Sequence, residues 1–307
     1  MLTAALNLVI LFGSPLLFVG LINRTKAWWA GRRGAPLSQP FRDCLRLLRK
    51  GQVVSAVTTP LFRLAPALNL AAVVLAGLMV PLAGGEAFLS FEGDFVVFAY
   101  VMATGKFFRI LAAMDTGSSF EGMGASREAL FSGLVEPAFF LILAGLMAAG
   151  GQTSFAAALP SLQTAGGLLQ VALVLSLLSF FIMLLVEGCR VPVDDPNTHL
   201  ELTMIHEVMV LDHSGPDLAF LQYAAAVKMV IVGALIAGLV IPPDAPLWLS
   251  AGLLLAVLAV VAVATGLVES VTARLRMTHV SQFVFLMTSN ALIVLAVVLL
   301  FKFGGLR

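Results

Sequence analysis

Eight apolar runs, each about as long as a bilayer is thick, follow one another along this chain, with polar connections between them. They fall at residues 2–22, 65–83, 95–114, 134–150, 168–186, 218–241, 247–268 and 283–301. Backbone groups in lipid must pair within their own segment unless strands close into a barrel, and the short alternating pattern of barrel strands is missing here. Each run therefore predicts a helix. The expected fold class is an all-α membrane protein of about eight transmembrane helices, forming one integral membrane domain over residues 1–307.

Composition agrees with the pattern: 60% of residues are hydrophobic and 11% charged, against about 45–50% and about 25% in soluble domains. The first run is too long for a removable signal and lacks a small-residue cleavage site, so it is expected to stay as a helix, with Pro15 a candidate kink. Cys44 and Cys189 form no CxxC pair, so neither an iron–sulfur cluster nor a zinc site is expected on this chain.

Charge changes the picture more through its placement than its sum. The first connection carries Arg24, Lys26, Arg32, Arg33, Arg42, Arg46, Arg49, Lys50 and Arg63. The third carries Arg127, the fifth Arg190, and the seventh Arg274 and Arg276, whereas the second, fourth and sixth carry no Lys or Arg. By the positive-inside bias, the odd connections are cytoplasmic and both termini lie outside. Within the first connection, "FRDCLRLLRK" puts Phe41, Cys44, Leu45 and Leu48 on one helical face and Arg42, Arg46 and Arg49 on another. That predicts an amphipathic helix along the membrane surface, as a basic anchor on anionic lipid or a docking surface for a cytoplasmic partner.

The fifth connection is chemically the richest. "VEGCRVPVDDPNTHLELTMIHEVMVLDHSGPD", residues 186–217, holds three of the four histidines and a run of carboxylates. Asp195 before Pro196, or Thr198 with Glu201, reads as a helix start, and a short helix over 197–211 would carry His199, Thr203 and His206 on one side. His206-Glu207 lacks the second histidine of a zinc-protease helix, so a metal site is not expected. A solvated acidic loop is the plainer reading.

Ionisable residues also sit inside the spans. Lys106 lies halfway along the third with Arg109 one turn further in, and Lys228 lies halfway along the sixth. Glu136 lies at the inner start of the fourth span, and Glu187 at the inner end of the fifth. A lysine at mid-bilayer costs about 2.5–3.5 kcal/mol on insertion scales, so such groups face protein or water and have partners. They form either static ion pairs, with Arg109 and Glu187 reaching to the interface, or a path along which protons exchange.

Taken together, these stretches resemble the membrane subunit of group 4 nickel–iron hydrogenases and formate hydrogenlyase, the HyfC/HycD type, which is related to NuoH of respiratory complex I. "EGCRVPVDDPNTHLELTMIHEVMVLDHSGPDLA" carries the resemblance to the hydrogenase type. "AWWAGRRGAPLSQPFRDCLRLLRK", which includes Arg33, is similar to the first NuoH connection. "LAAMDTGSSFEGMGASREALFSGLVEP" brings Gly124, Arg127 and Glu136 onto the glycine, arginine and glutamate of the third, and "ESVTARLRM" resembles the last. Arg190, Pro192, Asp194, Glu201 and Leu202 keep the NuoH pattern, whereas Asn197, Thr198 and His199 replace its glutamate–glycine–glutamate run.

The resemblance implies a NuoH-like membrane anchor and proton-relay subunit in the inner (cytoplasmic) membrane of a prokaryote, coupling a cytoplasmic redox arm to ion translocation. The implied proton path is Lys106, Arg109, Glu136, Glu187 and Lys228. The implied interface and cavity facing the redox arm comprise Arg33, Arg127, Arg190, Asp194, Asp195, His199, Glu201, His206 and Glu207. No cofactor is expected on this chain. Iron–sulfur clusters and a NiFe centre are expected in soluble hydrogenase-like large and small subunits and iron–sulfur partners. Antiporter-like membrane subunits and lipid complete the expected partners, and nucleic acid is not among them. A quinone-site subunit of a complex I relative is the alternative, which the altered 197–199 stretch disfavours. A stand-alone ion transporter finds no inverted repeat to support it.

Overall fold

A computed structural model describes residues 2–163, 167–194 and 205–303. Among the described residues, eight helices are long and apolar enough to cross a membrane: α1 (Leu2–Trp29), α3 (Pro60–Met79), α4 (Asp94–Asp115), α5 (Ser119–Gly150), α7 (Leu168–Glu187), α8 (Gly215–Val240), α9 (Leu247–Val271) and α10 (Met277–Phe303). Two shorter helices, α2 (Gln39–Leu48) and α6 (Phe155–Ala158), lie in connections, and no strand occurs among the described residues. Helix starts follow local chemistry where it is strong. Thr59 caps α3, its Oγ1 accepting from Leu61 N at 3.3 Å, with Pro60 supplying a first helical residue that needs no donor.

α8 is the central post. Residues 226–237 are buried without a break, Lys228 included, because neighbours surround a helix that is apolar on nearly every side. α1, α3, α7 and α9 pack around it, and α5 packs with α4 and α10 on the other side of α7. The helix ends are tied in two layers. At one end, Asn7 Oδ1 accepts from Ala83 N (2.9 Å), Gly93 N donates to Thr153 O (2.9 Å), and Gln163 Nε2 donates to Ile241 O (2.8 Å). At the other, Thr59 N donates to Asp115 Oδ2 (2.7 Å), Asp212 N to Glu121 Oε1 (3.0 Å), and Leu275 N to Pro192 O (2.9 Å). The first layer joins the N-terminal helix to the second, fourth and sixth connections, and the second joins the first, third, fifth and seventh. The odd connections therefore share one face, the basic one.

Two local expectations are modified. The fourth helix begins at Ser119 rather than at residue 134, because the polar stretch before Leu134 buries Glu121, Gly124 and Glu128 along one side and continues the helix as α5. The helix expected over 197–211 falls partly outside the described residues, and its described remainder is not α-helical. A bend at Ile205 and a turn at His206 lead instead into a 3-10 helix, Glu207–Val210. The cause is local: the Asp194 carboxylate accepts from Ile205 N (3.1 Å) and His206 N (2.9 Å), taking donors that an α-helix would send to carbonyls four residues back. Gly124 lets this segment press onto α5, since a Cβ there would collide with Val208 and stand 2.9 Å from Ile205 O. The expected amphipathic helix forms as α2, with Leu45 and Leu48 exposed and Phe41 and Cys44 half-buried.

Candidate functional site

The central feature is a buried chain of ionisable groups on four helices. Glu187, the last residue of α7, receives Lys106 of α4 on Oε1 and Lys228 of α8 on Oε2, the latter at 3.2 Å. All three residues are buried. Gly188 makes the meeting possible. A Cβ there would stand 2.8 Å from Met229 Cγ, so only glycine lets the end of α7 approach α8 beside Lys228. Lys106 Nζ also donates to Ser132 Oγ (3.0 Å), and Ser132 Oγ donates to Glu136 Oε1 (3.1 Å). Glu136 is half-buried, so the chain leads from the centre of the bundle toward the α5 surface. Two lysines, two carboxylates and one hydroxyl thus form an unbroken set of groups that can pass protons between neighbours.

The chain after α7 stays inside the protein: residues 187–194 are all buried despite being non-helical beyond Glu187. Irregular backbone at this depth is stable only within protein, with its polar groups paired. Arg190 N donates to Leu185 O (2.9 Å), and Val193 N and Asp194 N donate to Arg190 O (3.0 and 3.2 Å). Arg190 Nη1 reaches Glu269 Oε1 of α9 (3.4 Å), and Lys26 Nζ of α1 meets Glu269 Oε2 (2.7 Å).

A second cluster lies between this segment and the basic face. Arg109 of α4 pairs with Glu128 of α5 and approaches His206 Nε2 at 3.0 Å. Burial holds His206 well below the ordinary histidine value, and the positive Arg109, Lys228 and Lys106 push it the same way. Neutral His206 is therefore the acceptor for Arg109. His213 stacks on Phe62 with ring centroids 4.0 Å apart, and burial lowers its pKa to about 4.

Of the residues singled out from sequence, the structure brings Lys106, Glu187, Lys228 and Glu136 into one chain, and places Arg109, His206 and Asp194 in the adjoining cluster. Arg190 belongs to the pair with Glu269. Arg127 is half-buried on α5, its Nη2 3.1 Å from Met123 Sδ. Glu207 opens the 3-10 helix and is half-buried. Arg33 is exposed at the end of α1, on the rim of an open depression of about 960 Å³ shared with Arg24, Trp28 and Arg32. Asp195, His199 and Glu201 lie outside the described residues. Sequence reasoning missed Glu128 and Ser132. Glu128, Ser132 and Glu136 recur every four residues, one helical face, a signal open to view once α5 is extended back to Ser119.

The opposite half of the bundle is different in kind. Phe98 packs against Phe139 and Phe155, with centroids 5.7 and 5.3 Å away, and Phe139 against Phe180 (6.4 Å). All four are buried.

Comparison with known proteins follows the same lines. A family model described as NADH dehydrogenase matches residues 2–301. Hydrogenase-4 component C of Escherichia coli (strain K12) is 30% identical over 234 residues, covering 76% of this chain and 73% of that protein. Formate hydrogenlyase subunit 4 of the same organism is 28% identical over 276 residues, covering 88% and 89%. Among solved structures, a chain of the membrane-bound sulfane sulfur reductase, an archaeal respiratory membrane complex, superposes with a TM-score of 0.80 at 19% identity, covering 97% of this chain and all of that one. That last likeness is one of fold.

Proposed function

The chain belongs to the NADH dehydrogenase family and is a membrane subunit of a complex I-like oxidoreductase, and from that premise we propose that it anchors a cytoplasmic redox arm and relays protons from beneath that arm toward partner subunits in the membrane. The observation that carries the reading is the chain Lys228–Glu187–Lys106–Ser132–Glu136. It crosses from α8 by way of α7 and α4 to α5, with no gap longer than a hydrogen bond. Static pairing needs only Glu187 and one lysine. A second lysine, a bridging hydroxyl and a half-buried carboxylate at the end are what transfer requires.

The redox arm in this reading is of the nickel–iron hydrogenase or formate hydrogenlyase type, because the two Escherichia coli relatives carry those names. Its soluble large and small subunits and iron–sulfur subunits would hold the NiFe centre and the clusters, docking on the basic face, where Arg33 is exposed and Arg127 and Glu207 are half-buried, with Arg190, Asp194 and His206 buried beneath it. The expected interface residues Asp195, His199 and Glu201 lie outside the described residues. Antiporter-like subunits would receive the proton at the Glu136 end, and the complex would sit in the inner membrane of a prokaryote. The chain itself holds no redox group in this account and supplies position and proton exchange.

The test is coupling in the assembled complex reconstituted in vesicles. Glu136→Gln and Lys228→Ala are expected to abolish proton movement while soluble-arm turnover with an artificial electron donor stays near wild type. Unchanged proton movement per electron in both variants overturns the relay.

A further inference from the structure

Between two buried ion pairs and the carboxylate nearest the α5 surface stands a single uncharged group, Ser132. We propose that the Ser132 hydroxyl is the obligatory link through which protons pass between Lys106 and Glu136. The inference rests on the relay reading and adds a residue that nothing in the charge pattern indicates.

Geometry carries it. Ser132 sits one helical turn before Glu136 on α5, so the two side chains share a face and meet, Oγ to Oε1, at 3.1 Å. From the other side Lys106 Nζ reaches the same oxygen at 3.0 Å. Among the described residues, Lys106 has no ion pair with Glu136, and its ion-pair partner is Glu187. A hydroxyl has one proton to give and lone pairs to receive, so it can accept and donate at once. Lysine gives up a proton readily only as the ammonium, and the Glu136 carboxyl takes one up only while ionised. Ser132 is held by one donor and one acceptor in the arrangement that a concerted transfer needs.

The step balances without any further reactant. The Lys106 ammonium gives a proton to Ser132 Oγ as the original Ser132 proton passes to Glu136 Oε1. One N–H and one O–H bond break, and two O–H bonds form. Lysine becomes neutral, serine is unchanged and glutamate is protonated. A proton arriving at Glu187 from the Lys228 side weakens the hold of that carboxylate on Lys106 and so starts the transfer. The proton held on Glu187 then passes to neutral Lys106, Glu136 releases its own proton to the partner subunit, and rotation of the hydroxyl resets the link.

The decisive comparison sets Ser132→Ala beside Ser132→Thr and Glu136→Gln in the assembled, vesicle-reconstituted complex, reading protons moved per electron, electron-transfer rate and yield of complex. Ser132→Ala should lower protons per electron by about tenfold or more, a fraction of the roughly 10²–10⁴-fold that a positioned proton-transfer group supplies. Ser132→Thr, which keeps the hydroxyl, should restore most of it, and all three variants should assemble. Equal impairment in Ala and Thr, or failure of Ser132→Ala to assemble, assigns the position to packing and overturns the proposal. Normal coupling in Ser132→Ala with uncoupling in Glu136→Gln removes Ser132 from the path and leaves the relay standing. Normal coupling in both removes the relay itself.

Discussion

Glu187 Oε2 accepts from Lys228 Nζ at 3.2 Å while its other oxygen is held by Lys106, so one carboxylate at the end of α7 neutralises lysines from two other helices. The pairing is both a structural joint and the middle of the proposed path. Removing one partner of a buried pair leaves a charge stranded in low dielectric, which costs about 3–5 kcal/mol. Glu187→Gln strands two lysines at once and is expected to lose at least that much, seen as a lowered unfolding midpoint of the purified complex. Adding Lys228→Met should recover part of the loss, because only Lys106 is then left with a weakened partner. A double variant as unstable as the two single losses added would mean that Glu187 and Lys228 do not interact.

His213 lies against Phe62 at the start of α8, and its pKa falls from the usual 6.5 to about 4 on burial. Its folded pKa is depressed, so the unfolded chain binds a proton that the folded chain refuses between about pH 6.5 and about pH 4. Stability is therefore full above pH 6.5 and is lost as the pH falls through that window, by about 3 kcal/mol across the whole of it. His213→Phe keeps a ring stacked on Phe62 and cannot titrate. Unfolding midpoints measured from pH 7.5 to pH 5 should fall less steeply in this variant than in the wild type. Parallel curves would remove His213 from the acid response. His206, neutral and buried, acts in the same direction.

The membrane fold was legible because each span is an apolar run bounded by polar residues, and the odd–even asymmetry of Lys and Arg matches the two layers of ties between helix ends. α5 shows where that reasoning stops. Ser119, Glu121, Arg127 and Glu128 look like a loop to any hydropathy argument, yet they continue a membrane helix because Glu121 and Glu128 find partners in the Asp212 backbone and Arg109. Lys106, Glu187 and Lys228 were conspicuous as charges in apolar surroundings. That they converge on one point depends on how α4, α7 and α8 pack, which no local pattern encodes. Ser132 was invisible because serine is unremarkable in any helix. Its meaning comes from having Lys106 on one side and Glu136 on the other.

Gly124 is a contact point between α5 and the segment that carries His206. A Cβ at this position would collide with Val208 and crowd Ile205 O and Met209 Cγ, at 2.9 and 3.0 Å. Overpacking of this kind typically costs about 1–3 kcal/mol, and the neighbour here includes backbone that cannot rotate away. Gly124→Ala is expected to lower the unfolding midpoint and to weaken docking of the soluble arm, read as dissociation of the complex at lower detergent concentration. Gly122, two residues earlier on the same helix and so facing another side, with nothing within 4 Å of a Cβ, is the control. Gly122→Ala should be neutral in both assays. Equal effects at the two positions would show that loss of helix flexibility, and not contact with 205–209, is responsible.

Phe98, Phe139, Phe155 and Phe180 fill the bundle on the side away from the basic face, and they share the core with Ile142, Leu143 and Leu146. A proton reaching Lys106 therefore meets polar groups sideways, through Ser132, and packed rings ahead. The energetic contrast is large, since a charge forced into such a layer finds neither water nor a partner. A lateral route works only if this layer stays dry. Phe139 touches Phe98, Phe140 and Phe180, which makes it the residue whose loss opens the layer most. Phe139→Ser should admit water and let protons leak across the membrane without electron transfer. The leak would be read as faster decay of an imposed pH gradient in vesicles containing the complex. Phe139→Leu, apolar and only somewhat smaller, should hold the gradient almost as well as wild type. A gradient that decays at the wild-type rate in Phe139→Ser would mean that the rings pack the core without sealing it, and that some other layer confines protons to the lateral path.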